Sequence, residues 1–301
     1  MKNFEKIIQN INLNQGWSFI EKYHKYHTFH LVNPSPWPFT TAFGLLYTTF
    51  GAVLYFHYYE LGSTFFFLGF LITLSSFICW CRDIVREATF EGFHTKNVQK
   101  NVRIGFVLFI VSEIMFFFAF FWAYFHSSIS PSIEIACAWP PPGITIFNPW
   151  SVPFLNTVIL LTSGITLTWA HHIILKKDYK NEIAFSYTIL LAIFFTFLQL
   201  YEYKNATFSI NDSVFGSCFY MTTGFHGFHV LVGTIFIYVT FYRYISQHFS
   251  KNRHLGFEIC AWYWHFVDVV WLFLFICLYW WPSIKDSNEF LNAINFSNII
   301  L

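Results

Sequence analysis

Long apolar runs alternate along this chain with short polar segments. Seven of them reach or approach the ~20 residues that a helix needs to cross a bilayer: 37–58, 62–82, 103–126, 150–173, 182–203, 213–242 and 257–281. Helices are the economical reading. Lipid offers no water to backbone N–H and C=O groups, and a barrel would show short alternating strands instead of these runs. Most of the runs also lack the polar face that a helix in a water-soluble core would carry. The pattern predicts an all-α polytopic membrane protein with seven transmembrane helices.

The breaks between the runs fit that count. Asn33-Pro34-Ser35-Pro36-Trp37-Pro38 makes a stiff lead-in to the first span, and Trp139-Pro140-Pro141-Pro142-Gly143 marks a long loop. Ser209-Ile210-Asn211-Asp212-Ser213 offers an N-cap for the sixth helix. Tyr279-Trp280-Trp281 suits an interfacial aromatic belt. Gly224 and Gly227 on the sixth span suggest a small-residue face for close helix approach.

Composition sharpens the class. Of 301 residues, 55% are hydrophobic, 24% aromatic and only 11% charged, where a soluble domain carries roughly 25% charged residues. A soluble globular domain and a disordered chain are excluded. The formal net charge of +1 gives no basic surplus for nucleic acid. Six cysteines, Cys79, Cys81, Cys137, Cys218, Cys260 and Cys277, fall mostly inside apolar runs and read as small buried residues. The 42 Phe, with abundant Ile, Asn and Lys, look like the product of an AT-rich genome and suggest organelle encoding.

Charge also sets orientation. One side of the predicted spans carries fifteen Lys and Arg: Lys2, Lys6, Lys22, Lys25, Arg82, Arg86, Lys96, Lys100, Arg103, Lys176, Lys177, Lys180, Arg243, Lys251 and Arg253. The other side carries Lys204 and Lys285. The positive-inside rule places the N-terminus inside and the C-terminus outside, and an even number of spans would scramble the asymmetry. Residues 1–30 lack an apolar core with a cleavage site, lack Arg, and contain Glu5 and Glu21, so neither a secretory signal nor a transit peptide is expected there.

Ionisable groups at membrane depth are costly and mark function or assembly. Glu113 is the sharpest case: its neighbours at i±3 and i±4 are Phe109, Ile110, Phe116 and Phe117. It must be protonated or find a partner on another helix. By helical rise it sits roughly 15 Å in from Arg103, with His265 and Asp268 roughly 12 and 16 Å from Phe257, and His229 roughly 20 Å from Arg243. These four groups are candidates for one mid-membrane polar layer, with His229, His265 and Asp268 as partners of Glu113. The pairs His226/His229 and His171/His172 raise a metal or haem reading, but a metal site needs three or four convergent ligands, so packing and interhelical hydrogen bonding are the expected roles. At the end of the second span, Arg82 and Arg86 share one face, and Asp83 and Glu87 another. That cluster reads as a solvated ion-pair network or as a seat for anionic lipid headgroups, with Arg243 as a further lipid contact. No P-loop, dinucleotide fingerprint or nucleophile elbow is present.

Six strings together resemble one family: Trp80-x-Arg82-Asp83-x-x-Arg86-Glu87; the Ser112-Glu113 span ending in Phe121-Trp122-Ala123; Trp139-Pro140-Pro141-x-Gly143-Ile144; Trp169-Ala170-His171-His172; Thr223 to Val230; and Ala261 to Trp271. In order, from about Tyr26 to Trp281, they are similar to the cytochrome c oxidase subunit III family. The resemblance implies a non-redox core subunit of a haem-copper terminal oxidase. Helices would be arranged two plus five around a lipid-holding cleft. It implies no catalytic residue, metal or cofactor in this chain. Haem a, haem a3 and copper would sit in subunits I and II, which are the expected partners together with other complex IV subunits and anionic and zwitterionic phospholipid. The role implied is support of assembly, phospholipid binding and proton uptake into subunit I during O2 reduction and proton pumping.

The family's membrane carboxylate falls on Glu113 and its lipid-facing positions on Arg86 and Arg243, with Trp80 and His94 nearby. The expected location is the mitochondrial inner membrane, multi-pass, with the N-terminus in the matrix. Cys81 stands where a second Trp is common, which removes one expected lipid contact. The chain is expected to divide into a matrix-side extension, 1–25, the seven-helix domain, 26–281, and a tail on the intermembrane-space side, 282–301. The alternatives are a standalone seven-helix transporter, which would need a polar pathway or inverted repeat, a seven-helix receptor, which the charge count opposes, and a haem or di-iron membrane enzyme.

Overall fold

A computed structural model describes residues 28–176 and 182–284. The expected extension 1–25, most of the expected tail, the four N-terminal lysines, Lys177, Lys180 and Lys285 lie outside the described residues. Among the described residues, seven helices are long and apolar enough to cross a membrane: α1 Trp37–Phe56, α2 Gly62–Thr89, α3 Lys96–Ile129, α4 Val152–Lys176, α5 Ile183–Lys204, α6 Val214–Ile245 and α7 Leu255–Ile284. Among the described residues there is no β-strand, only an isolated bridge between Ser250 and Arg253.

Several helices outrun their apolar cores. α2 continues to Thr89 and α3 begins at Lys96, because charged turns outside hydrocarbon keep the helical hydrogen bonds that the apolar stretch nucleates. α1 starts behind Pro36 with Pro38 in its first turn, where a missing N–H costs nothing. At α6, the Ser213 hydroxyl oxygen accepts from Phe215 N at 3.1 Å, so the cap falls on Ser213. α7 passes Trp281 to Ile284, beyond the expected domain edge.

By contacts the chain divides at Val102/Arg103. The first unit holds the α1–α2 hairpin and the opening of α3. Its helices meet through small residues spaced by seven: Gly44 and Gly51 on α1, and Gly62, Gly69 and Ser76 on α2, are the positions these two helices bury. A Cβ on Gly51 would come within 2.7 Å of the Phe66 Cα, and one on Gly69 within 2.7 Å of the Tyr47 carbonyl carbon. The close approach therefore lies here. At Gly224 and Gly227 an added Cβ would meet nothing within 4 Å, so the face expected there makes no close helix approach among the described residues.

The second unit holds the rest of α3 and α4 to α7. α7 is its pillar. Trp264 Nε1–H donates to Ser163 Oγ and Trp271 Nε1–H donates to Thr157 Oγ1, each at 2.9 Å, locking α7 against α4. Thr166 and Thr188 hydroxyls join α4 to α5 at 2.8 Å, and Tyr203 and Thr223 join α5 to α6 at 2.6 Å. α3 differs: of its 34 residues only Phe117, Tyr124 and Ser128 are buried.

Two expectations about side chains fail. All six cysteines are free, but only Cys260 is buried, while Cys81 and Cys137 are exposed. An apolar run does not imply a packed face when lipid can cover it. Tyr279 is no interfacial residue: it is fully buried beside Phe219 and Trp271.

Candidate functional site

In the first unit, the end of α2, the lead-in to α1 and the connection into α3 enclose a cavity of about 750 Å³. Trp37 Nε1–H donates to Asp83 Oδ2 at 2.6 Å and so ties the start of α1 to the end of α2. Asp83 also accepts from Arg82 Nε at 2.9 Å. The Asp83 carboxylate thereby occupies Arg82 and leaves Arg86 lining the cavity with Trp37, Trp80, Glu87 and His94. Three of the sequence-expected lipid residues, Trp80, Arg86 and His94, are brought together here. Arg243 belongs to the second unit, where its guanidinium lies over the Phe249 ring at 4.6 Å.

One wall of the cavity was not expected. His30 stacks on Phe93, ring centroids 4.9 Å apart, and its Nε2 stands 3.9 Å from Glu87 Oε2. Thr95 donates to the Thr28 carbonyl at 2.6 Å and Asn97 to the Thr28 hydroxyl at 2.9 Å, which fixes that segment. The ligating atoms of His30, Glu87 and His94 all lie within 4.8 Å of one another. This triad can hold a cation, an ammonium or a metal ion, while Arg86 supplies the positive charge for a phosphate. An aromatic wall, a guanidinium and an acidic edge match a headgroup that is anionic at one end and cationic at the other.

In the second unit Glu113 has its partner. Glu113 Oε2 and His229 Nε2 are 2.8 Å apart, joining α3 to α6. His229 Nδ1–H donates to the Phe225 carbonyl at 2.7 Å. With Nδ1 donating, Nε2 can accept from a protonated Glu113 or, as imidazolium, donate to its carboxylate. Phe117, at 5.1 Å, and Phe116, at 6.3 Å, flank the imidazole.

His265 and Asp268 do not join this pair. They pair with each other, Nδ1 to Oδ2 at 3.4 Å, one turn apart on α7. They face α4 at Gly164, where an added Cβ would lie 2.6 Å from Asp268 Oδ2. The expected single layer is two separate pairs, because residues 263 and 266 of α7 face His229 while Trp264 and Asp268 turn to α4.

The other histidines have packing partners. His226 Nε2–H donates to the Val267 carbonyl at 3.3 Å, and with both His229 nitrogens engaged the 226/229 pair is not turned toward a shared metal. His171 Nε2 meets His254 Nε2 at 3.3 Å. His254 continues to Glu258 at 3.2 Å, and Glu258 to Arg103 at 2.8 Å. This chain of four groups pins α3, α4 and the start of α7 at one end. Sequence reading also missed Glu202, which is 3% exposed on α5. Its place near the end of an apolar run gave no sign of burial.

Comparison with known proteins bears on the chain as a whole. The chain matches the family described as Cytochrome c oxidase subunit III over residues 27–283. It is 56% identical over 256 residues, 85% of this chain and 98% of the relative, to the Prototheca wickerhamii protein named Cytochrome c oxidase subunit 3. It is 55% identical over 261 residues to the Anopheles gambiae protein of that name, covering 86% of this chain and 99% of the relative. For the Arabidopsis thaliana protein the figure is 54% over 259 residues, 86% and 98%. With a match across all seven helices, the chain belongs to the cytochrome c oxidase subunit III family.

Proposed function

We propose that this subunit of cytochrome c oxidase serves its complex without a redox centre of its own. It holds phospholipid, packs against subunits I and II, and supports proton uptake while those subunits, carrying haem a, haem a3 and copper, reduce O2 to water and pump protons. The cavity at the end of α2 carries the reading. Trp37, Trp80, Arg86, Glu87 and His94 give it an aromatic wall with both charges, the chemistry of anionic and zwitterionic phospholipid headgroups.

Two further observations support it. α3 buries only three side chains, and α1 and α2 bury little beyond their glycines and Ser76. Such faces need lipid or partner helices. The Glu113–His229 pair is a proton-holding group at membrane depth, in keeping with a role in proton uptake. Family membership and the eukaryotic relatives support the mitochondrial inner membrane. The charge count supports the N-terminus in the matrix, and Phe abundance supports organelle encoding. The expected boundaries 1–25, 26–281 and 282–301 and the two-plus-five cleft belong to the same proposal.

The test is native mass spectrometry of the mildly solubilised protein with an optical spectrum and lipid analysis of the same sample. Co-purification with two larger subunits and a haem a band, with haem staying behind when this chain is stripped away, is the expected result. A lone chain recovered repeatedly without haem would point to a transporter. Haem or metal retained on the isolated chain would overturn the non-redox role.

A further inference from the structure

Three segments of the first unit bring two imidazoles and a carboxylate to one point. His30 comes from the lead-in to α1, Glu87 from the last turn of α2 and His94 from the connection into α3. Their ligating atoms lie within 4.8 Å of one another, and His30 Nε2 stands 3.9 Å from Glu87 Oε2. Among the described residues no other set of three His, Cys, Asp or Glu side chains converges this closely. The side chains are largely covered, His30 being 9% and Glu87 20% exposed, and all three line the cavity.

Each arm is held in place by bonds of its neighbours. Glu91 N–H donates to the Arg86 carbonyl and Phe93 N–H to the Glu87 carbonyl, each at 3.1 Å, which folds the chain back over the end of α2. Gly92 stands in that turn at a φ of 71°, a conformation glycine takes without strain. Gln99 Nε2–H donates to the His94 carbonyl at 2.9 Å. On the other arm, the Thr95 hydroxyl donates to the Thr28 carbonyl, two residues before His30, at 2.6 Å. The Phe93 ring, 4.9 Å away, stacks on the His30 imidazole and fixes its plane. A site assembled in advance loses little freedom when its ligand arrives.

We propose that His30, Glu87 and His94 form a binding site for an exchangeable zinc ion, which fastens the lead-in of α1 to the α2–α3 connection and turns its open coordination position to the cavity. The donor set selects the ion. Two imidazole nitrogens and one carboxylate oxygen are a ligand set of zinc sites that keep a fourth position open. Magnesium and calcium take oxygen ligands, and the triad offers a single carboxylate. A tetrahedral zinc ion with bonds of about 2.0–2.2 Å spaces its ligand atoms roughly 3.3 Å apart, so side-chain shifts of about 1 Å close the triad on it. The cavity, about 750 Å³, has room for the ion and a headgroup together. The ion does not depend on the headgroup, since Arg86 is the group that meets a phosphate and is no ligand of zinc. Zinc is redox-inactive, so the metals that would overturn the non-redox role of this chain are iron and copper.

The test is zinc binding to the intact complex. After dialysis against a chelator, zinc chloride is titrated in, bound metal is counted by plasma mass spectrometry, and cryo-EM maps are taken with and without zinc. Expected is a density that appears with zinc about 2.0–2.2 Å from all three side chains. The zinc count should fall by one, or the binding weaken about tenfold or more, in His30→Gln and in His94→Gln. Arg86→Ala should keep the zinc while lowering the anionic phospholipid, which tells failure of the metal site apart from failure of the headgroup assignment. No added density at the triad, or an unchanged count and affinity in both histidine variants, would overturn the proposal. So would the same density with magnesium in place of zinc, which would mark an unselective cation site. Should the variants fail to assemble, the paired maps of the unaltered complex decide.

Discussion

Glu113 Oε2 and His229 Nε2 stand 2.8 Å apart, and the bond from His229 Nδ1 to the Phe225 carbonyl turns Nε2 toward the carboxyl. The Glu113 side chain is about one-fifth exposed, so a hydrophobic reagent in the bilayer can reach it. A hydrophobic carbodiimide, which attacks the protonated acid, should modify Glu113. No labelling there would place the proton on His229 as imidazolium. Glu113→Gln keeps a donor toward Nε2 and should leave assembly intact while changing proton uptake. Glu113→Ala should cost about 0.5–2 kcal/mol, in the range of interhelical hydrogen bonds in membranes and of charged ones elsewhere, read as a lower Tm of the complex. Loss of the subunit in Glu113→Gln would show a structural role instead.

The glycine seam of the α1–α2 hairpin gives a sharper contrast. Gly51→Val should drive the helices apart, since even one carbon there collides with Phe65 and Phe66 backbone, and the Tm of the complex should fall. Gly224→Ala, with open space around it, should leave the folding of the second unit unchanged and gain up to about 1 kcal/mol of helix propensity. Equal tolerance of both changes would mean that the seam does not hold the hairpin.

The two indole bonds of α7 can be weighed directly. Both Trp271 and Thr157 are buried, and Thr157 still donates to the Pro153 carbonyl without the indole, so Trp271→Phe removes one hydrogen bond and should cost about 0.5–1.5 kcal/mol. A double-mutant cycle with Thr157→Ala isolates the shared part. A coupling energy near zero would remove this bond from the account of α4–α7 packing.

For the cavity, Arg86→Ala should lower the anionic phospholipid that co-purifies, because it removes the guanidinium facing the space while Arg82 stays with Asp83. Adding Arg243→Ala should lower it further if both contact lipid. Unchanged lipid content by mass spectrometry would sink the headgroup assignment.

His248 supplies a pH dependence. It follows α6, outside the spans, and its imidazole is held below the usual histidine value, first by burial and then by the charge of Arg243. The folded protein therefore binds fewer protons at this site than the unfolded chain. The stability present above about pH 6.5 is lost as pH falls through that value toward the lowered one. His248→Gln should flatten the acid side of the stability profile below about pH 6.5. An unaltered profile would show that His248 does not contribute.

Much of this was legible in the chain. Seven spans, the Ser213 cap region and Glu113 as an acid in need of a partner all follow from one-dimensional pattern, because lipid imposes length and apolarity on every span. What the pattern could not carry is rotation. Depth along a helix follows from counting residues, so His229, Asp268 and Glu113 looked like one layer. Which side of α7 faces which neighbour is fixed by Trp264 and Trp271 reaching α4, a three-dimensional fact. Tyr279 was misread for the same reason, since a span end next to water and a span end covered by other helices have the same composition.

The glycine seam also bears on how the chain is made. The partners across it are joined by a connection of only a few residues, so contacts there are local and can form as soon as both helices leave the ribosome. The second unit is completed later. Its two indole bonds run from α7, the last described helix, back to α4, 101 and 114 residues earlier. A translation product cut before Trp264 would own a finished hairpin and an unfinished bundle, with Ser163 and Thr157 awaiting partners. Quality control of this protein would then read its last helix, and a late truncation would be the one most readily destroyed.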